Sequence, residues 1–313
     1  MADARLIASS SVCMLALGAV GLFGPPGSAL ALLILPLPAL VAGGVGGTTQ
    51  AAAATVGAVG VMGGLLGATV AVGFLALAGV PSVVASLLLR RAWRLEAVVA
   101  IAAAATILGG LGLAMWHEPN PAVWQDGLSN LWRSSFDTSL QIYRDFGMST
   151  QAIADLDAAR VEIAERIGLI LPAMILLATT AVWLANLGLS RRWVWWPQLM
   201  TLSRWRTADW AIWLLIGSGF ALFLPTRLLG WVAINVFIVC LACYFAQGLA
   251  IVSYFLQRVG LPRPLRAATF VVIALQYLAA ALVVVLGVFD LWGDFRNLSA
   301  RPADATAGRD ADG

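Results

Sequence analysis

Residues 228–257 read LLGWVAINVFIVCLACYFAQGLAIVSYFLQ, and residues 267–289 read AATFVVIALQYLAAALVVVLGVF; neither stretch holds an Asp, Glu, Arg or Lys. At ~1.5 Å per residue in a helix, each is long enough to cross a hydrocarbon core of ~30 Å. A chain built from such stretches is an integral membrane protein, and its backbone polar groups must be satisfied within helices. The predicted fold is therefore all-α, a polytopic bundle of transmembrane helices.

Composition agrees. The 313 residues are 61% hydrophobic and only 11% charged, against about 25% charged in soluble domains, and the mean hydropathy is +0.89. The formal net charge is +3, but no basic stripe interleaved with aromatics lies on a polar segment, so a nucleic-acid partner is not expected. All 19 basic residues are Arg. Without Lys there is no Walker A lysine, no Schiff base and no Ser-Lys nucleophile pair. His117 is the single His, which excludes HExxH and multi-His metal sites. Cys240 and Cys243 form a CxxC inside an apolar run, with no second ligand pair nearby, and read as small buried residues together with Cys13. No cofactor or metal is expected.

The chain divides into an N-terminal membrane bundle (1–116), an extracytoplasmic amphipathic helical segment (117–166), a C-terminal membrane bundle (167–296) and a disordered polar tail (297–313). Nine spans are predicted: 5–23, 28–45, two within 48–89, 97–116, 167–189, 209–224, 229–256 and 267–289. The Pro36-Leu37-Pro38 run removes two backbone donors and interrupts the second span. The 48–89 stretch divides near Gly63, Gly64 and Gly67; if it crosses once instead, the count is eight. Gly60-x-x-x-Gly64 allows close helix approach.

Residues 117–166 hold 8 acids against 4 Arg. Trp124, Leu128, Trp132, Phe136 and Tyr143 share one broad side of a helix, with Asp126, Arg133 and Asp137 opposite, so this segment should lie on the membrane surface or cover the bundle. Gly147 ends that helix, Ser149 or Thr150 caps a second, and Glu162 pairs with Arg166 as that helix runs on into the sixth span, where Pro172 makes a kink. With the N-terminus cytoplasmic, the Arg clusters at 90–94, 191–206 and 258–266 all fall inside and the acidic segment falls outside, which puts the C-terminus outside as well.

Chemistry within the spans is left to uncharged polar residues: Asn186, Asn235, Gln247, Tyr254 and Gln276. Tyr244, Gln247, Ile251 and Tyr254 share one helix face, a stripe that either lines a cavity or bonds to neighbouring helices. Asp290 and Asp294 stand one turn apart at the outer end of the ninth span, beside Trp292 and Arg296, and read as interfacial end charges.

The order and spacing of several short motifs resemble the YybS-like family of bacterial membrane proteins of unknown function. They are Pro36-Leu37-Pro38; residues 143–149 (YRDFGMS); Asp209-Trp210 with Trp213; Gln247-Gly248-Leu249-Ala250; Gly260-Leu261-Pro262 with Arg266; and Leu286-Gly287 followed by Asp290-x-Trp292-x-Asp294-Phe295-Arg296. The resemblance implies a cytoplasmic-membrane location and no assigned activity. By analogy its helical layout is similar to the substrate-capturing subunits of vitamin uptake transporters, which borrow an ATPase. The leading expectation is a non-enzymatic protein that binds a small molecule or lipid between its C-terminal spans, amid membrane lipids, and works with partner membrane or ATPase subunits. The alternative is a non-transporting scaffold that recruits proteins through its outer helices or its Arg/Trp face. A lipid-directed enzyme using Asp290 and Asp294 stands third.

Overall fold

A computed structural model of the chain describes residues 7–14, 16, 33–197, 199, 205–293 and 295. Residues 5–6, 15 and 17–23 of the expected first span, residues 28–32 of the second, Arg204, Asp294, Arg296 and the 297–313 tail lie outside the described residues, as do the side chains of Trp124, Asp126 and Leu128; residues 7–14 of the first span are helical. The described residues form helices and turns with no strand among them. The chain falls into two compact units, Met1–Leu199 and Met200–Gly313.

In the first unit, Leu35-Pro36 form a turn and helix α1 (Leu37–Gly46) begins behind it, the interruption that the two prolines dictate. Gly47, at φ +103°, lets the chain turn into α2 (Thr48–Leu65). Gly67, at φ +97°, divides α2 from α3 (Ala68–Arg90), within the predicted glycine cluster. The two helices then fold back on each other: Gly63 faces Ala71, and Gly79 faces Thr55 at about the same distance from the break. Residues Leu75–Gly79 of α3 widen into a π turn just before Pro81, which has no N–H to give. Val80 donates to the Leu75 carbonyl, and the Ala76 carbonyl lies against Gly109 of α4 (Leu95–His117), where any Cβ would collide with it.

Helix α5 (Pro121–Asp145) ends at Gly147 (φ +79°), and α6 (Thr150–Ala158) starts on Ser149, whose Oγ accepts the Ala152 N–H at 3.2 Å. This is the predicted cap. Its loss in Ser149→Ala should cost about 1 kcal/mol, seen as faster amide exchange confined to the first turn of α6. Arg160 reaches Asp137 of α5 at 3.1 Å, and α7 (Arg160–Ser190) carries the Glu162–Arg166 pair and Pro172. The core of this unit packs Leu40, Leu89, Val98, Ala102, Trp183 and Leu187, with Trp183 Nε1 donating to Thr106 Oγ1 at 3.1 Å.

The second unit contains α8 (Ala211–Ala221), α9 (Arg227–Arg258), α10 (Arg263–Leu275) and α11 (Tyr277–Gly293). Helix α9 takes in the whole 228–257 run. The predicted ninth span, however, is not one helix: α10 and α11 meet at 102°. Gln276 adopts an extended conformation (φ −105°, ψ 105°), its N–H closes α10 on the Val272 carbonyl, and its own carbonyl receives the Ala280 N–H to open α11. The break uses neither Gly nor Pro. By length and composition α3, α4, α7 and α9 can each cross a membrane, and the bent α10–α11 pair brings the number to five if it counts as one span. Helix α8, with 11 residues, is about 16 Å long and reaches only halfway across.

Candidate functional site

Gln247 lies about two-thirds of the way along α9, about 16 Å along the helix from Arg258 and about 30 Å from Arg227. It is fully buried, and both ends of its amide are engaged. Its Oε1 accepts the Thr207 N–H at 2.9 Å, and its Nε2 donates to Asp290 Oδ2 at 3.0 Å. Thr207 sits in the segment before α8, where its N–H has no helical acceptor, so Gln247 satisfies a group that would otherwise be stranded. The Thr207 Oγ1 in turn donates to the Cys243 carbonyl at 3.5 Å.

Asp290 is 1% exposed. A carboxylate in the last turn of a helix opposes the macrodipole by about 0.3–1 kcal/mol, so the position is held by other contacts. Oδ2 takes the Gln247 amide, and Oδ1 accepts the Phe295 N–H at 3.1 Å, which ties the chain leaving α11 back onto the helix. Beside it, Arg206 Nη2 donates to the Leu291 carbonyl at 3.4 Å and pairs with Asp209 at 3.2 Å.

Backbone proximity makes this possible. A Cβ on Gly248 would run into the Val283 carbonyl oxygen, and one on Gly287 into that of Tyr244. Only glycine lets α9 and α11 approach closely enough for an amide and a short carboxylate to meet. Helix α8 joins from another side, with Gly219 against Phe237.

These contacts correct two expectations. Asp290, expected among interfacial end charges, is buried and hydrogen-bonded to Gln247. Arg206 and the end of α11 do not lie on opposite faces, because a 3.4 Å hydrogen bond cannot join points separated by a ~30 Å core. The bend at Gln276 turns α11 by 102° from α10, and the end of α11 lies beside Arg206 and Thr207. Span parity therefore does not place the C-terminus.

The other predicted residues stand elsewhere. Asn186, buried in the first unit, donates to the Leu33 carbonyl at 2.7 Å and to Val182 at 2.8 Å, which satisfies backbone next to the Leu35-Pro36 turn. Asn235 donates to Trp231 one turn back on α9, about 18 Å along that helix from Gln247. Tyr254 is half-buried, with its ring edge-on to Phe255, and Gln276 is exposed at the bend. Of the five, only Gln247 belongs to the cluster. Sequence reasoning left out Arg206 and Thr207, and it placed Tyr244 in the stripe but not in the site. Among the described residues no three His, Cys, Asp or Glu side chains come together as a metal would require.

No curated protein and no solved structure matches the chain. A family model described as "Predicted membrane protein (DUF2232)" matches residues 12–291, nearly the whole length. The apolar helices and that match agree with the YybS-like resemblance, and this chain belongs to the DUF2232 family of membrane proteins of unknown function.

Proposed function

We propose that this chain is a multi-pass protein of the bacterial cytoplasmic membrane that binds a small molecule or lipid through its C-terminal unit and depends on partner subunits for any energy input. One observation carries this reading: the charged and amide groups of Arg206, Asp290 and Gln247 are gathered against α9 about 16 Å from its Arg258 end, within the uncharged 228–257 run. Ionisable groups at such depth are costly, and where they occur they mark substrate or ion sites. The chain has no Lys, so an ATPase would have to come from a partner.

Native mass spectrometry of the full-length protein tests this. The wild type should carry a retained small molecule, and Asp290→Asn, which preserves shape but removes the charge and can accept only one of the Phe295 and Gln247 donors, should carry at least tenfold less under conditions where its α9 and α11 amides remain protected from exchange. A wild type free of any retained compound, or equal occupancy in the variant, sinks the reading.

A scaffold role is a second reading. It is favoured by exposed aromatic and apolar side chains near the acidic helices: Trp116, Ile142, Tyr143, and Phe146 at 86% exposure. Cross-linking through a photoreactive residue at position 143 that traps a partner when position 146 is Phe and loses it in Phe146→Ser would support that reading; unchanged capture would reject this surface as the docking site.

A further inference from the structure

Helices α1, α3 and α7 end on one face of the first unit. Arg90, the last residue of α3, donates from Nη1 to the Gly43 carbonyl of α1 at 3.4 Å, and the neighbouring Gly44 abuts Val194 and Trp196, just beyond the end of α7. Val194 and Trp196 share one buried cluster with Leu88 and Leu89 of α3 and Leu187 of α7. Because α3 and α7 are each long and apolar enough to span, the face where both end stands at a membrane surface.

Two exposed turns come together there. In the first, the Trp93 N–H closes on the Leu88 carbonyl and the Ala92 N–H on that of Leu89, a Schellman turn, whose left-handed position ordinarily falls to glycine. Here that position is Ala92, at φ +56°, the one non-glycine residue with positive φ among the described residues. Strain of this kind collects where a backbone must hold functional side chains in place, and the turn leaves Arg91, Trp93 and Arg94 exposed. In the second turn, Val194 and Trp196 face the core, while Arg191, Arg192, Trp193 and Trp195 are exposed.

The charge of this face is not balanced within the unit. Arg94 has Glu96 at 3.5 Å, whereas Arg91, Arg191 and Arg192 form no ion pair among the described residues. Glu96 is the single acid between positions 33 and 117. Three helix C-termini bring roughly −0.5 elementary charge each, too little to offset five Arg against one Glu. A guanidinium fork matches a phosphate bidentately, and exposed Trp at the end of a span suits the level of the headgroups.

We propose that this face of the first unit binds the phosphates of anionic phospholipid headgroups. Arg91, Arg191 and Arg192 make the phosphate contacts, and Trp93, Trp193 and Trp195 lie among the headgroups beside them. This goes beyond the binding reading above, which concerns the second unit.

Thermal unfolding of the full-length protein in detergent tests it. Phosphatidylglycerol is expected to raise the wild-type midpoint by several degrees, with phosphatidylcholine, inorganic phosphate and poly-glutamate leaving it in place. Arg91→Gln/Arg191→Gln/Arg192→Gln changes only exposed side chains, so it should fold, and it should lose most of the phosphatidylglycerol shift. Arg227→Gln/Arg258→Gln/Arg263→Gln removes as many exposed charges from the second unit and should keep that shift. No shift with phosphatidylglycerol, an equal shift with phosphatidylcholine, a full shift in the first variant, or an equal loss in both variants overturns the proposal. An equal shift with inorganic phosphate would assign the face to a free anion, and one with poly-glutamate to an acidic protein; either overturns it as well. Should the first variant fail to fold, high salt replaces it: screening should abolish the wild-type shift, and a shift indifferent to salt defeats the proposal.

Discussion

Gln247→Leu is expected to destabilise the C-terminal unit by about 1.5–3 kcal/mol, the range for losing a buried hydrogen bond to a charged group. Leucine fills nearly the same volume, so the loss comes from the groups left behind. Asp290 Oδ2 and the Thr207 N–H would both remain buried without the amide they use now. Part of the cost should disappear in the double variant with Asp290→Leu, because the stranded carboxylate is then gone. The coupling energy from that double-mutant cycle should be at least about 1.5 kcal/mol. Steric-trap unfolding in bicelles, or denaturant titration in mixed micelles, measures it. Additive single effects would mean that the Gln247–Asp290 contact carries no weight.

The second large effect is expected at the glycines. Gly248→Ala and Gly287→Ala each place a methyl group against a backbone carbonyl oxygen, not against a side chain that can rotate away. Overpacking of this kind costs about 1–3 kcal/mol at each site. The two sites sit on the same helix pair, so the double variant should cost less than the sum, since one separation of α9 from α11 relieves both clashes. That separation should also release the Asp290 contact, seen as a rise in exchange at the Phe295 amide. Disulfide trapping between α9 and α11 would show the reduced approach directly. By contrast Gly60 and Gly64 of the first unit, the GxxxG pair visible in the sequence, meet nothing within 4 Å, and alanine there should leave the first unit's stability unchanged.

Features set by local chemistry could be read from the sequence. The proline interruption before Leu37, the break at Gly67, the end of α5 at Gly147 and the Ser149 cap each follow from one or two residues with restricted or permissive backbones. The membrane class followed from the uncharged runs. What escaped depends on partners far along the chain. Gln276 breaks its helix with an ordinary side chain, and the apolar pattern on its two sides is continuous. Asp290 reads as an end charge until Gln247, 43 positions away, is brought against it. Arg206 reads as part of an interfacial cluster, because nothing in its neighbours reveals that it reaches Leu291. The polar stripe on α9 singled out Gln247, but periodicity alone could not say whether it would face a cavity or a helix.

The bend at Gln276 bears on how the protein is made. At 13 and 17 residues, α10 and α11 are each shorter than the ~20 residues that an independently inserting segment needs. Helix α11 therefore cannot rely on its own partition into lipid during synthesis. Through Gly248 and Gly287 it packs directly on α9, so assembly of the final segment depends on a helix made before it.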